Sequence, residues 1–188
     1  MKRTLPAIIL TLLLTLGVYA LYTITTGNFH EIVDGQAYRS AQLTPVELSK
    51  KVSRYGFASV LNLRGPNADK DWYQQEIAFC NTRGIEHYDI TLSAGKDIST
   101  AQSEEIVSIM KSAPKPILIH CRNGADRAAF GAALYELAIA NESAEEASEE
   151  MTMWYGHIPF ITPHVGAMDR SFWAYADILN KKKKSEVD

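Results

Sequence analysis

The chain has 188 residues, of which 46% are hydrophobic and 22% charged, with a formal net charge of −3. That length suits one domain with a substantial core, and the balance is ordinary for a globular protein. The mild acidity carries no basic footprint for nucleic acid, and two cysteines do not make a disulfide framework.

Lys2 and Arg3 precede Leu5 to Ile24, a run of 20 residues with no charged side chain. Such a run can span a hydrocarbon core of roughly 30 Å. It also fits a secretory signal: a basic start, an apolar middle and a small-residue cleavage site at Val18-Tyr19-Ala20. Residues 1–24 are therefore expected to be a signal peptide or membrane anchor, and residues 25–188 the folded domain. Both readings keep Lys2 and Arg3 in the cytoplasm and export the rest. Losing those two cations takes the formal charge from −3 to −5.

Thr25 to Asn28 reads as a linker. Phe29 to Val33 and Tyr38 to Ser40 are expected short strands around an Asp34-Gly35 turn. Thr44-Pro45-Val46-Glu47 combines an N-cap, a first-turn proline and a capping-box glutamate, so a helix should run to Tyr55 and stop at Gly56. Phe57 to Leu63 is an apolar, β-branched run suited to a buried strand. Asp69 to Arg83 reads as a helix ended by Gly84, and Ile85 to Leu92 as a strand. After a loop through Gly95-Lys96-Asp97, Ser99 or Thr100 caps a helix to Ser112. Ile117 to His120 is another buried strand. Helices are expected over Arg127–Ala140, Glu142–Tyr155 and Val165–Lys181, with Glu145, Glu146, Glu149 and Glu150 as a solvated face. Gly156 to Pro163 is a loop, and Lys181 to Lys184 a frayed end. Strands that alternate with helices imply an α/β fold, a central mostly parallel sheet flanked by helices. Ligands in such sheets bind beyond the carboxyl ends of the strands, where Cys121 falls.

His120-Cys121-Arg122-Asn123-Gly124-Ala125-Asp126-Arg127 follows an apolar strand and opens a helix. Backbone N–H groups of Arg122 to Arg127 would meet the positive end of the helix dipole, an anion site that also favours an anionic sulfur. Gly124 permits a tight turn. The planar fork of Arg127 can hold two phosphoryl oxygens. His120 either orients the loop or is a satisfied core histidine. The chemistry these parts suit is in-line attack of the Cys121 thiolate on phosphorus, charge stabilisation by loop amides and Arg127, proton donation to the leaving oxygen, and hydrolysis of the phosphocysteine. It requires no metal and no cofactor.

The HCxxGxxR pattern resembles that of the protein tyrosine and dual-specificity phosphatases. Ile117 to Tyr135 is similar to the loop and helix of atypical bacterial and fungal members. Ala37-Tyr38-Arg39-Ser40-Ala41-Gln42 and Val60-Leu61-Asn62-Leu63-Arg64 resemble their N-terminal part, and Met151 to Met168 their C-terminal part. With the apolar N-terminus, the likeness is to the periplasmic tyrosine phosphatases of Gram-negative bacteria. It implies a dual-specificity phosphatase-like fold, a phosphorylated protein as partner (a membrane signalling protein included), and a periplasmic or membrane-anchored location. In the family an Asp from a loop ahead of the nucleophile's strand is the general acid. Asp97 matches best, with Asp126, inside the phosphate loop, second and Asp89 third. The family usually places Ser or Thr after the loop arginine, where its hydroxyl stabilises the departing thiolate. Here the residue is Ala128, which implies slow breakdown of the phosphoenzyme.

Blander readings accompany the remaining residues. Arg39 and Arg64 line the pocket mouth or form surface ion pairs. Trp72, Trp154 and Trp173 read as core or helix-packing residues, while Tyr155 and His157 close the site from the C-terminal side. Cys80 is a small apolar helix residue, or else it bonds Cys121. Competing functions are a phosphatase for inositol phosphates or other small esters, a phosphate-binding pseudophosphatase, and rhodanese-like sulfur transfer. The first would favour lysine at Asn123 and Ala125.

Overall fold

The computed structural model describes residues 4–159, 164 and 166–187. Its strands are β1 His30–Val33, β2 Ala37–Ser40, β3 Ser59–Asn62, β4 Glu86–Asp89 and β5 Ile117–His120. Its helices are α1 Thr4–Thr25, α2 Pro45–Tyr55, α3 Asp71–Arg83, α4 Thr100–Ser112, α5 Asp126–Tyr135, α6 Ala144–Ser148 and α7 Gly166–Val187. One five-stranded sheet has the order β1-β2-β5-β3-β4. The β1–β2 hairpin is antiparallel, and the β2–β5, β5–β3 and β3–β4 pairs are parallel.

Strand periodicity divides the core into two layers. Ala37, Leu61, Ile117 and Ile119 face α4, α5 and α7, where they pack with Met110, Phe130 and Phe172. The alternate residues Tyr38, Val60 and Leu118 face α2 and α3 and pack with Leu48, Phe57 and Cys80. Gly131 lets α5 sit close on the sheet: a Cβ there would lie 2.9 Å from Ile119 Cγ2. Local chemistry sets the helix ends. The Thr44/Glu47 and Ser99/Gln102 capping boxes start α2 and α4, and Gly56 and Gly84 end α2 and α3 in the left-handed region.

Four expectations need correction. Thr25 to Asn28 is not a free linker: α1 runs to Thr25, Gly27 and Asn28 are buried, and Ala41 N donates to Gly27 O at 2.7 Å. The single helix expected over Glu142–Tyr155 is instead α6 followed by 3-10 turns at Glu149–Met151 and Met153–Tyr155. Glu150 is the reason. It is buried rather than solvated, and its backbone carbonyl and carboxylate both turn to Arg39. The helix expected to end at Ala140 is α-helical to Tyr135 and a π-turn over Glu136–Ala140. Finally, Lys181 to Lys184 is helical, within α7, and Lys182 Nζ pairs with Glu104 at 2.6 Å. The loop expected over Gly156–Pro163 lies outside the described residues from 160 onward.

Candidate active site

Cys121 directly follows β5, at the carboxyl ends of β2, β3 and β5, and is 2% exposed. The loop after it is fixed from outside by its own carbonyls. Gln42 N donates to Arg122 O at 3.2 Å. Asn28 Nδ2 donates to Asn123 O at 3.1 Å. Arg39 Nη2 donates to Gly124 O at 2.8 Å and to Ala125 O at 3.1 Å. Four consecutive carbonyls thus point away from the loop's concave side. Because each peptide is planar and trans, the following N–H groups, those of Asn123, Gly124, Ala125 and Asp126, turn inward. With the start of α5, they form an anion nest. Gly124 has φ +69°, and a Cβ there would lie 2.6 Å from Ala41 N, so no other residue fits.

Two buried groups that hold the loop were not legible as such. Arg39, 0% exposed, lies beneath the loop rather than at the pocket mouth or on the surface. Its Nη1 pairs with Glu150 Oε2 at 2.5 Å and donates to Glu150 O at 2.6 Å. The Tyr155 ring lies 4.6 Å from its guanidinium carbon. Asn28 also donates to Tyr155 O at 2.9 Å, while its Oδ1 is 3.0 Å from His30 Nε2. Burial and the nearby Arg39 and Lys51 cations pull the His30 pKa down to about 4, so its ring is neutral near pH 7. An Nε2–H on that ring donates to Asn28 Oδ1 and leaves the amide hydrogens for the loop.

The remaining expected residues fall as follows. Arg127 reaches across the strand ends, with Nη1 3.3 Å from Leu92 O and 3.5 Å from Leu63 O. Burial and the Arg127 and Arg122 cations lower the Arg64 pKa, against the pull of Glu76 and Cys121. Arg64 lies just past β3 and Arg122 and Arg127 just past β5, so three arginines issue from the carboxyl edge of the sheet. Arg64 stacks over the Trp72 ring at 3.5 Å and donates to Gln42 Oε1 at 3.0 Å. Gln42 Nε2 in turn donates to Glu76 Oε2 at 2.6 Å. Glu76 is buried on α3, and its Oε1 meets His120 Nε2 at 3.1 Å and His87 Nε2 at 2.9 Å. Burial alone would raise the Glu76 pKa, but His120 and His87 hold it well below the ordinary carboxylate range. His120 is thus a buried, oriented residue in a chain that runs from the nucleophile's neighbour through Glu76 and Gln42 to Arg64. The three ligand atoms of Glu76, His87 and His120 lie within 4.8 Å of one another and could hold a cation.

The acids occupy different settings. Asp97 stands on an exposed loop and pairs with Arg170 Nη2 at 2.6 Å. Asp126 Oδ1 meets His157 Nδ1 at 2.8 Å, and His157 Nε2 meets Asp169 Oδ2 at 2.9 Å. Burial would lower the His157 pKa, but the two carboxylates outweigh it and raise it. Asp89 is held by Asn62 Nδ2 at 2.8 Å and by the Tyr73 hydroxyl. Ala128 is 0% exposed at the base of the loop. Cys80 and Cys121 are free thiols in the two separate core layers, so they do not bond. Burial and the Glu76 charge push the Cys80 thiol up to about 12. Trp154 and Trp173 are exposed rather than core, and Trp154 packs on a helix, against Tyr19 of α1.

Sheet order, the strand–loop–helix around Cys121 and the cradle beneath it define the fold of the cysteine-based tyrosine and dual-specificity phosphatases. Solved structures of that fold match most of this chain. P. aeruginosa TpbA aligns at 20% identity and TM-score 0.58, over 79% of this chain and 91% of that one. The G95A form of Tk-PTP aligns at 18% identity and TM-score 0.62, over 81% and 96%. The catalytic domain of the S. cerevisiae PP-IP phosphatase SIW14 aligns at 20% identity and TM-score 0.53, over 77% and 93%. No protein-family model and no curated protein sequence matches the chain.

Proposed function

We propose that this protein hydrolyses phosphotyrosine in proteins through a phosphocysteine on Cys121. The observation that carries the proposal is the outward turn of carbonyls 122 to 125, which leaves a ring of amides around a cysteine flanked by Arg127. The Cys121 thiolate attacks phosphorus as the P–O bond to the leaving group breaks. The inward amides and Arg127 hold the equatorial oxygens. The leaving phenoxide takes a proton, and water then cleaves the P–S bond, releasing phosphate and regenerating the thiolate.

For that proton the geometry favours Asp126 over Asp97. Asp126 adjoins Arg127, so its distance from bound phosphate is fixed by the loop, and its Oδ1 is positioned by His157 Nδ1 at 2.8 Å. Asp97 is committed to Arg170 on an exposed loop. A general acid must be protonated to act, so its loss removes the fall in kcat/KM at high pH. Asp126→Asn should flatten that limb. If Asp97→Asn flattens it and Asp126→Asn does not, the acid is Asp97.

A second reading has its own observation. Arg64 follows Leu63, whose carbonyl lies 3.5 Å from Arg127 Nη1, and a further arginine at that strand end suits a polyphosphorylated small ester. One of the solved structures is of a PP-IP phosphatase. The full chain, assayed in reductant on a phosphotyrosine peptide, a phosphoserine peptide and inositol polyphosphates, separates the two. The first reading expects the highest kcat/KM on phosphotyrosine. A higher value on inositol polyphosphates, lost in Arg64→Ala, would replace it with the second.

A further inference from the structure

Helix α1 offers 20 residues, Pro6–Thr25, with mean hydropathy 2.2 and none of the span buried. At 1.5 Å per residue they cover about 30 Å, the thickness of a hydrocarbon core. Its exit is rigid. Asn28 N donates to Thr23 O at 2.8 Å, and the Asn28 side chain holds the phosphate loop. Only two residues, Thr26 and Gly27, therefore separate the end of the helix from a residue that grips the active site.

The helix does not stand clear of the domain. Tyr19 packs edge-on against Trp154, with ring centroids 6.4 Å apart, and its hydroxyl donates to Trp154 O. Trp154 is 67% exposed and Met153 51%, which is unusual for side chains of that size beside an apolar helix. A groove of about 490 Å³ runs between Leu16, Ala20 and Ile24 on α1 and Met153, Trp154 and Ile158 opposite, with almost no polar surface. Beside it, a second cavity of about 380 Å³ is lined by Ile24 and Asn28 on one side and Arg122, Asn123 and Tyr155 on the other. Apolar groove, anchor exit and outer face of the phosphate loop are thus contiguous.

We infer that Met153, Trp154 and the groove beside α1 dock into the lipid bilayer that α1 spans, so that the phosphate loop lies against the headgroup layer. The occupant follows from continuity. Tyr19 precedes Thr25 by six residues, so a span that ends at Thr25 holds Tyr19 and its partner Trp154 about 9 Å in from the end. That is the depth at which interfacial aromatic and amphipathic groups settle. The apolar groove fixed to α1 at that level faces lipid, whereas the opposite side of Trp154 borders a cavity lined by Glu142, Glu146 and Glu149. The anchor is then part of the site's architecture rather than a leader to be removed, and phosphate groups close to the membrane are the ones the loop can reach.

The test uses the full chain in vesicles of phosphatidylcholine and phosphatidylglycerol. Trp72→Phe with Trp173→Phe leaves Trp154 as the single tryptophan. Its emission should fall roughly two-fold or more when the lipids carry bromine near the top of the acyl chains, and should resist soluble iodide. The difference in quenching between the unaltered chain and Trp154→Phe gives the same readout should the double variant fold poorly. Trp154 emission indifferent to brominated lipid overturns the inference, whether iodide reaches the side chain or another protein surface shields it. So does recovery from cells of a mature chain that lacks residues 1–20. No outcome depends on catalytic activity, so failure here leaves the phosphatase reading standing.

Discussion

Arg39 shows how much one buried side chain can decide. Its guanidinium answers two loop carbonyls and one carboxylate, and every one of these partners would be left in a dry interior without it. Removing one member of a buried ion pair costs about 3–5 kcal/mol. Arg39→Met should therefore lower the urea midpoint and abolish turnover together. Arg39→Lys should recover part of the stability but little activity, because an ammonium cannot reach two carbonyls and Glu150 with a fixed fork. Ala128 makes the opposite prediction. A serine there can donate to the departing Cys121 thiolate, an interaction with a charged group worth about 1.5–3 kcal/mol. If phosphoenzyme hydrolysis limits turnover, Ala128→Ser raises kcat roughly 10–100-fold. An unchanged kcat with no accumulated phosphoenzyme would refute the slow second step.

At the level of elements, the Asp126–His157–Asp169 bridge ties α5 to the start of α7. Burial works against charge on His157, yet the two carboxylates raise its pKa above the ordinary histidine value near 6.5. A raised folded pKa means that the folded state binds the proton more tightly, so this contribution is full below pH 6.5 and fades as pH rises through the folded value. Thermal unfolding followed from pH 6 to pH 9 should show a falling Tm, and Asp169→Asn should flatten that slope. A slope unaltered in Asp169→Asn would assign it to other groups. The same elements mark where sequence is a good guide. Thr44-Pro45-Val46-Glu47 and Gly56 write the limits of α2 in local chemistry, and the apolar run at Ile117 writes β5. The Glu142–Tyr155 segment is misleading because its break at Glu150 answers Arg39, 111 residues away, and leaves no local trace. Cys121, Arg127 and Gly124 are legible from spacing. Asn28, Arg39 and Glu76 are not, since each matters through partners brought by the sheet. Strand alternation does hint at Arg39, which shares the Ala37 face of β2 and so points under α5.

For the molecule as a whole, two supports converge on one loop. From one side β2, β5 and α3 bring Arg39, His120 and Glu76, with Gln42 just past β2; from the other the exit of α1 brings Asn28. A cysteine at the join is expected to do phosphoryl transfer because its surroundings suit an oxyanion, not because of any one residue. Arg64, Arg122 and Arg127 add charge at the carboxyl edge of the sheet while the chain as a whole is mildly acidic. The most direct measurement is a single-turnover reaction of the full chain with p-nitrophenyl phosphate in reductant, quenched in acid and analysed by intact mass and peptide mapping. The account predicts a burst of p-nitrophenol that matches one phosphoryl group per chain, mapped to Cys121 and absent from Cys121→Ser. Hydrolysis that persists in Cys121→Ser, or a phosphoryl group mapped to another residue, would contradict it.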